Sequence, residues 1–329
     1  MVVNMDIRTH ILNRASYEVI QHGHFTDVYL LPDNAHVLKI RKKRDPEIDI
    51  NTPEIWSVKA TKERKLYKFI NAMQKKQGLF STVDVPEARA VFHEGHLVTA
   101  AIESRLEKFH LSSAAYNVFP KYLQQKFTMD MAVFLNEFHQ GLCRPDANLN
   151  RVKYVAPSED PQSPYISPNG VERRYKGFLN KEEIKYFQQW VEAFYERDLS
   201  KETLCYIHSD IRHSNTFVNV DTERLGLIDF ACSAVGNTHS EFSQMCKADQ
   251  LGFKFAMETV GNYQEMEKAK TINIDKRTVG ILAVMLSLYQ WKTSREYSDR
   301  HNEGAIDKLR EFGHDLKTNG PKLKAPALV

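Results

Sequence analysis

The chain has 329 residues, enough for two lobes with cores of their own, and no apolar run approaches the roughly 20 residues that a membrane span needs. Lys and Arg number 45 against 42 Asp and Glu, and the resulting +3 is too small to point to nucleic acid or a membrane surface. The four cysteines lack CxxC spacing and Met1–Asp6 lacks the basic-then-apolar signature of a secretory leader, so reduced thiols and a cytoplasmic location are expected.

In chain order, Tyr17–Ile20 reads as a strand, His22–Thr26 as a turn, Val28–Leu31 as a second strand, and Ala35–Ile40 as a third after the turn Pro32-Asp33-Asn34. Lys39 falls on that third strand. It also heads the basic run Lys39–Arg44, so a solvated lysine is the alternative reading. A helix should follow from Trp56 to Gln77, with Ala60, Leu66, Phe69, Ile70 and Met73 at helical spacing and Glu63 in its first half. After a turn at Ser81-Thr82, strands are expected near Ala88–Phe92 and His96–Ala101, and residues 1–102 make the first lobe. Residues 103–329 make the second. Within it, the Pro-, Asn-, Ser- and Asp-rich stretch 144–176 reads as an irregular insert, either a binding loop or a connection without a role. Helices are expected over Lys181–Asp198 and Val279–Trp291, both with apolar faces that belong in a core.

The chemistry concentrates further along, in His208-Ser209-Asp210-Ile211-Arg212-His213-Ser214-Asn215 and Leu227-Ile228-Asp229-Phe230. Between the two strings, Thr216–Val220 and Gly226–Ile228 flank the polar turn Asp221–Arg224, which predicts a β-hairpin. Antiparallel pairing then brings Asn215 at its entry beside Asp229 at its exit. An amide oxygen and a carboxylate side by side suit Mg²⁺, with phosphate oxygens and water completing the shell. Asp210 supplies an acid suited to orient or deprotonate a hydroxyl, and all three are expected to face one cleft. Phosphoryl transfer from ATP asks for that set, because it is mostly positioning and charge neutralisation. Asp and Asn are also common at ordinary turns, which is the plainer reading of the same hairpin. Other chemistries lack their signatures. His93-Glu94-Gly95-His96 has the wrong spacing for a zinc helix, and neither G-x-S-x-G nor G-x-x-x-x-G-K-[ST] is present.

His208-x-Asp210-x-x-x-x-Asn215 and Ile228-Asp229-Phe230, with Lys39 and Glu63 upstream, resemble the aminoglycoside phosphotransferase and choline kinase family. Met129–His139 looks like the family's helix ending in Leu-His, and the resemblance runs over roughly residues 15 to 250. It implies an α+β, two-lobed, protein-kinase-like fold with an antiparallel N-terminal sheet plus helix and a mostly helical C-terminal lobe. It also implies ATP and Mg²⁺ as cofactors and a small-molecule hydroxyl acceptor, an aminoglycoside or an amino alcohol. Carried over, Asp210 is the catalytic acid, Asn215 and Asp229 hold Mg²⁺, Lys39 touches the nucleotide phosphates and Glu63 fixes Lys39. His208 braces the loop, and Gly23 stands alone where the family's nucleotide loop would lie. Ser209 replaces the usual Gly of the family's H-G-D string, and Ala231 follows Asp229-Phe230. Glu241 stands where an Asp usually braces the catalytic loop, which leaves that bracing role open. A kinase-fold protein that binds nucleotide or a partner without turnover is the second reading, and a protein-substrate kinase the third; the missing A-P-E string counts against the last.

Overall fold

The computed structural model describes residues 6–22, 26–42, 53–106, 109–141, 167–176, 204–246 and 251–266, parts of 180–192, and Val279. The chain divides into two compact units: Met1–Phe109 with Asn215–Ser233, and His110–Ser214 with Ala234–Val329.

In the first unit, α1 (Ile7–Asn13) precedes strands β1 (Val19–His22), β2 (Thr26–Leu30) and β3 (His36–Arg41). They are followed by α2 (Pro53–Gln77), β4 (Val83–Asp84), β5 (Ala88–Glu94) and β6 (Leu97–Ser104). The main sheet is antiparallel and five-stranded, in the order β1-β2-β3-β6-β5. Its register sets Lys39 opposite Val28 on one side and Ala101 on the other. Leu31, Leu38, Ala100 and Ile102 form a buried cluster on which Ile7, Tyr17, Tyr29 and Phe92 pack. Gly95 turns the chain between β5 and β6 at φ 63°, a left-handed conformation that glycine adopts without a Cβ clash. α2 begins at Pro53, three residues before the expected start, since proline suits a first helical turn. It buries Trp56, Glu63, Leu66, Tyr67 and Ile70.

The hairpin β9 (Thr216–Asn219) and β10 (Arg224–Leu227) belongs to this unit as well, although the sequence reading grouped it with residues 103–329. The reason is pairing: β10 runs parallel to β4, with Leu225 opposite Val83. Arg224 clamps Asp84 through Nη2 at 2.6 Å and Nε at 3.2 Å. Between the two hairpin strands Leu227 faces Thr216. One residue on, Ile228 N donates to Asn215 O at 2.9 Å, so the ends of the ribbon meet as antiparallel pairing requires.

The short strand β7 (Phe109–His110) pairs with β9 and ends at the boundary of the two units, and the second unit is built around α4 (Lys121–Gly141), with α3 (Ser113–Val118) before it. Leu123, Phe127, Met131, Phe134 and Phe138 recur at three- and four-residue intervals on α4 and are all buried. After α5 (Pro168–Tyr175) come β8 (Leu204–Ile207), β11 (Ala234–Asn237), α6 (Thr238–Met245) and α7 (Phe253–Glu265). β8 and β11 pair antiparallel. The stretch 144–176 is therefore not irregular throughout: Ser167 Oγ accepts from Gly170 N and Pro168 occupies the first helical turn, which starts α5. Of the helix expected over 181–198, Lys181, Glu182, Ile184, Lys185, Gln188, Gln189 and Glu192 are helical; the rest lies outside the described residues, as does the 279–291 helix beyond Val279.

Phe138 stacks on Phe134 at 5.8 Å and meets the edge of Tyr206, the residue of β8 that leads towards His208, at 6.0 Å. Phe138→Ala should therefore destabilise the fold by about 3–5 kcal/mol, whereas Val118→Ala, at a position 80% exposed, should change it by less than about 0.5 kcal/mol. Urea denaturation of the two variants measures the contrast.

Candidate active site

The first unit gathers four ionisable groups around one lysine. β3 carries Lys39 inward, and α2 presents Glu63 and, one turn later, Tyr67. Lys39 Nζ lies 3.4 and 3.5 Å from the two Glu63 oxygens, and 2.7 Å from Glu103 Oε2. Glu103 sits near the end of β6; since Ala101 is directly opposite Lys39, a residue two further along β6 points to the same face. Tyr67 Oη donates to Glu63 Oε1 at 2.8 Å and accepts from the backbone N–H of Asp229 at 3.0 Å. Phe230, fully buried, packs edge-on against the Tyr67 ring at 5.6 Å. One tyrosine thus ties the lysine's partner to the aspartate at the end of the hairpin.

The electrostatics follow from burial. Burial alone would push the Lys39 ammonium down, but the carboxylates of Glu103, Glu63 and Asp229 outweigh it and hold it well above the ordinary lysine range. One lysine cannot neutralise two carboxylates, and the nearer, Glu103, has the shorter contact. Burial then pushes Glu63 up to about 7, against the attraction of Lys39, with Glu103 and Asp229 adding repulsion. Tyr67 is likewise raised, first by burial and then by Glu63. Asp229 adopts φ 63° and ψ 58°, a left-handed conformation that Asp tolerates better than most residues. Asn215, 4% exposed, is fixed at the ribbon's other end. An amide and a carboxylate are hard oxygen donors, a set suited to Mg²⁺ and unsuited to a softer metal.

The second unit holds Asp210 and His208. His208 is fully buried, and its Nδ1 accepts from Asp210 N at 3.2 Å. Asp210 Oδ2 stands 3.3 Å from Arg212 Nε. Glu241, at the start of α6, is also fully buried and accepts from two backbone groups of the loop, His208 N and, at 3.0 Å, Ser209 N. Here glutamate does from α6 the bracing that the departure from the family pattern left open. Behind it, His139 of α4 lies 3.8 Å from Glu241 and shares a 3.0 Å hydrogen bond with Tyr263 of α7. Ser209 has φ 67°, a left-handed position that glycine adopts without a Cβ clash.

Comparison with known proteins adds the lineage. Residues 20–272 match the phosphotransferase enzyme family, APH. The chain belongs to that family. Solved structures agree in fold, at low identity. The GDP and kanamycin complex of APH(2")-IIia aligns with TM-score 0.64 and 14% identity over 94% of this chain and 98% of that one. The streptomycin-ATP-APH(2")-IIa ternary complex gives 0.53 and 19% over 94% and 97%. Choline kinase from Cryptosporidium parvum Iowa II gives 0.51 and 12% over 96% and 97%. The sequence matches none of the curated proteins with which it was compared. The α+β, kinase-like fold expected from the motifs is therefore the fold found.

For a phosphotransferase of this family, the structure brings Lys39, Glu63, Asn215 and Asp229 into one unit and sets Asp210 and His208 in the other. Gly23 lies outside the described residues. Sequence reasoning missed Glu103 and Tyr67. The first ends an apolar strand run and the second sits four residues after Glu63 on the same helical face, so each carried a positional signal only once the pairing was known.

Glu63 supplies a test by pH. Its carboxyl is raised in the folded protein, so its contribution to stability is fully present below the ordinary value of 4.5 and is lost as pH rises through about 7. Relative to Glu63→Gln, the wild type should lose up to about 3 kcal/mol over that interval. Chemical denaturation at several pH values measures it; parallel curves for the two proteins would contradict the buried-carboxyl assignment.

Proposed function

We propose that this family member is an ATP- and Mg²⁺-dependent phosphotransferase that phosphorylates a hydroxyl group of a small molecule, an aminoglycoside or an amino alcohol. The observation that carries the reading is the linkage in the first unit: Lys39 on Glu63, Glu63 on Tyr67, and Tyr67 on the backbone of Asp229. A bare salt bridge would need no such chain, whereas a lysine aligned on nucleotide phosphates and an aspartate aligned on their metal need a common frame. Solved neighbours of the same fold support it from outside, since their complexes hold GDP, ADP, ATP and aminoglycosides.

In this reading Lys39 would bind the α and β phosphates, Glu63 would orient it, and Asn215 and Asp229 would hold Mg²⁺, whose charge would offset that of the phosphates. Asp210 accepts the proton of the acceptor hydroxyl as its oxygen bonds to the γ phosphorus and the bond to the ADP oxygen breaks. His208 and Glu241 keep the Asp210 loop in place through backbone hydrogen bonds. The acceptor is expected to be a free small molecule, with neither nucleic acid nor a membrane as partner. Among the described residues no helix is long and apolar enough to cross a membrane.

Asp210→Ala should lower ADP release by about 10²- to 10⁴-fold while leaving the calorimetric affinity for Mg-ATP within about twofold. Asp229→Ala should instead weaken Mg-ATP binding itself. ADP release measured over a panel of aminoglycosides, choline-like alcohols, amino acids and nucleosides identifies the acceptor class. Mg-ATP binding without turnover on any of them would favour the non-catalytic reading, and no binding of Mg-ATP would remove the kinase assignment.

A further inference from the structure

Lys39 has two carboxylate partners, and the nucleotide reading needs only one. Glu63 matches the role of an aligning residue: it comes from the helix and has a second partner in Tyr67. Glu103 differs in each respect. It comes from β6, is 4% exposed, and makes the tighter contact, 2.7 Å against 3.4 Å. Lys39 is the cation that balances it.

The space around the three groups is small. Lys39, Glu63 and Glu103, with Trp56, Ala60 and Ala101 among their neighbours, line a cavity of about 20 Å³. A volume of that size admits about one water molecule and no phosphate group. A nucleotide phosphate that attracts the ammonium competes with Glu103 for it, and a buried carboxylate whose cation is drawn away is strongly disfavoured.

We propose that Glu103 is a restraining, positioning residue: it holds the Lys39 ammonium in the nucleotide-free protein and competes with nucleotide phosphates for it. Nucleotide affinity is then set by opposition between two carboxylates, Glu63 turning the lysine towards the phosphates and Glu103 drawing it back. The idea rests on the phosphotransferase reading above and adds a residue whose removal strengthens binding. Tightening is a result that damage to the fold does not produce.

Calorimetric titration of Mg-ATP into the full chain tests it, with Glu103→Gln, Glu103→Asp, Glu63→Gln and Lys39→Met beside the wild type. Glu103→Gln keeps the size of the side chain and removes the charge, so affinity should rise about tenfold, the scale of one hydrogen bond to a charged group. Glu103→Asp keeps the charge but withdraws it by one methylene, so it should tighten binding by less. Glu63→Gln should weaken binding, and Glu103→Gln should have no effect in a Lys39→Met background, where there is no ammonium to hold. Equal or weaker binding by Glu103→Gln and Glu103→Asp, with the wild type binding Mg-ATP, overturns this inference alone. A wild type that binds no Mg-ATP overturns the phosphotransferase reading and this one with it.

Discussion

The buried ammonium of Lys39 is the group on which the first unit's arrangement depends. An ammonium withdrawn from water is tolerated only beside compensating negative charge, and here that charge is in excess: Glu103, Glu63 and Asp229 all act on it. The excess accounts for two further features. It pushes the second carboxyl, Glu63, to about 7, and it explains why Glu63 also takes the Tyr67 hydroxyl, since a carboxyl that shares its cation needs another polar partner. Tyr67 in turn has its hydroxyl oxygen available to the Asp229 N–H. The order of dependence runs from lysine to glutamate to tyrosine to the end of the hairpin, and each step follows from an unsatisfied polar group in the one before.

The second unit solves a different problem with the same means. The Asp210 loop turns sharply at Ser209, where two successive backbone N–H groups, those of His208 and Ser209, point to one side. Without an acceptor they would be buried donors with no partner. Glu241 receives both, and it is itself held by position, with His139 at 3.8 Å and no solvent access. The extra methylene of glutamate over aspartate lengthens the reach from α6.

Legibility in the sequence followed from how local each feature was. The hairpin and its flanking strings could be read because turn residues, strand residues and the polar ends lie within about twenty positions, and antiparallel pairing does the rest. Lys39 and Glu63 could be read from the order of elements, a third strand and then a helix. Glu103 could not: nothing in Leu97–Ser104 says which strand it joins, and only the pairing of Lys39 with Ala101 puts Glu103 on the lysine's face. Nor does the sequence single out Tyr67, whose part lies in a hydroxyl bond to a residue 162 positions away. The helix at Pro168–Tyr175 was concealed by its composition. Ser, Pro, Asn and Gly read as loop, yet Ser-Pro is also how a helix begins.

Two of the site's residues, Ser209 and Asp229, are non-glycine residues in the left-handed region, each next to or at a position the chemistry needs. Such backbones are held by their surroundings and not by their own preference. In both cases the hold is a hydrogen bond donated by the backbone N–H to a fully buried side chain on another element: Glu241 for Ser209, Tyr67 for Asp229. The left-handed turn directs the N–H away from the chain's ordinary course and so exposes it to a partner from outside. The acceptor then makes the unfavourable turn the lower-energy choice. Orientation of the two acidic loops is thereby set by α2 and α6 and not by the loops themselves. This is the arrangement expected where side chains must keep a fixed geometry towards a bound group.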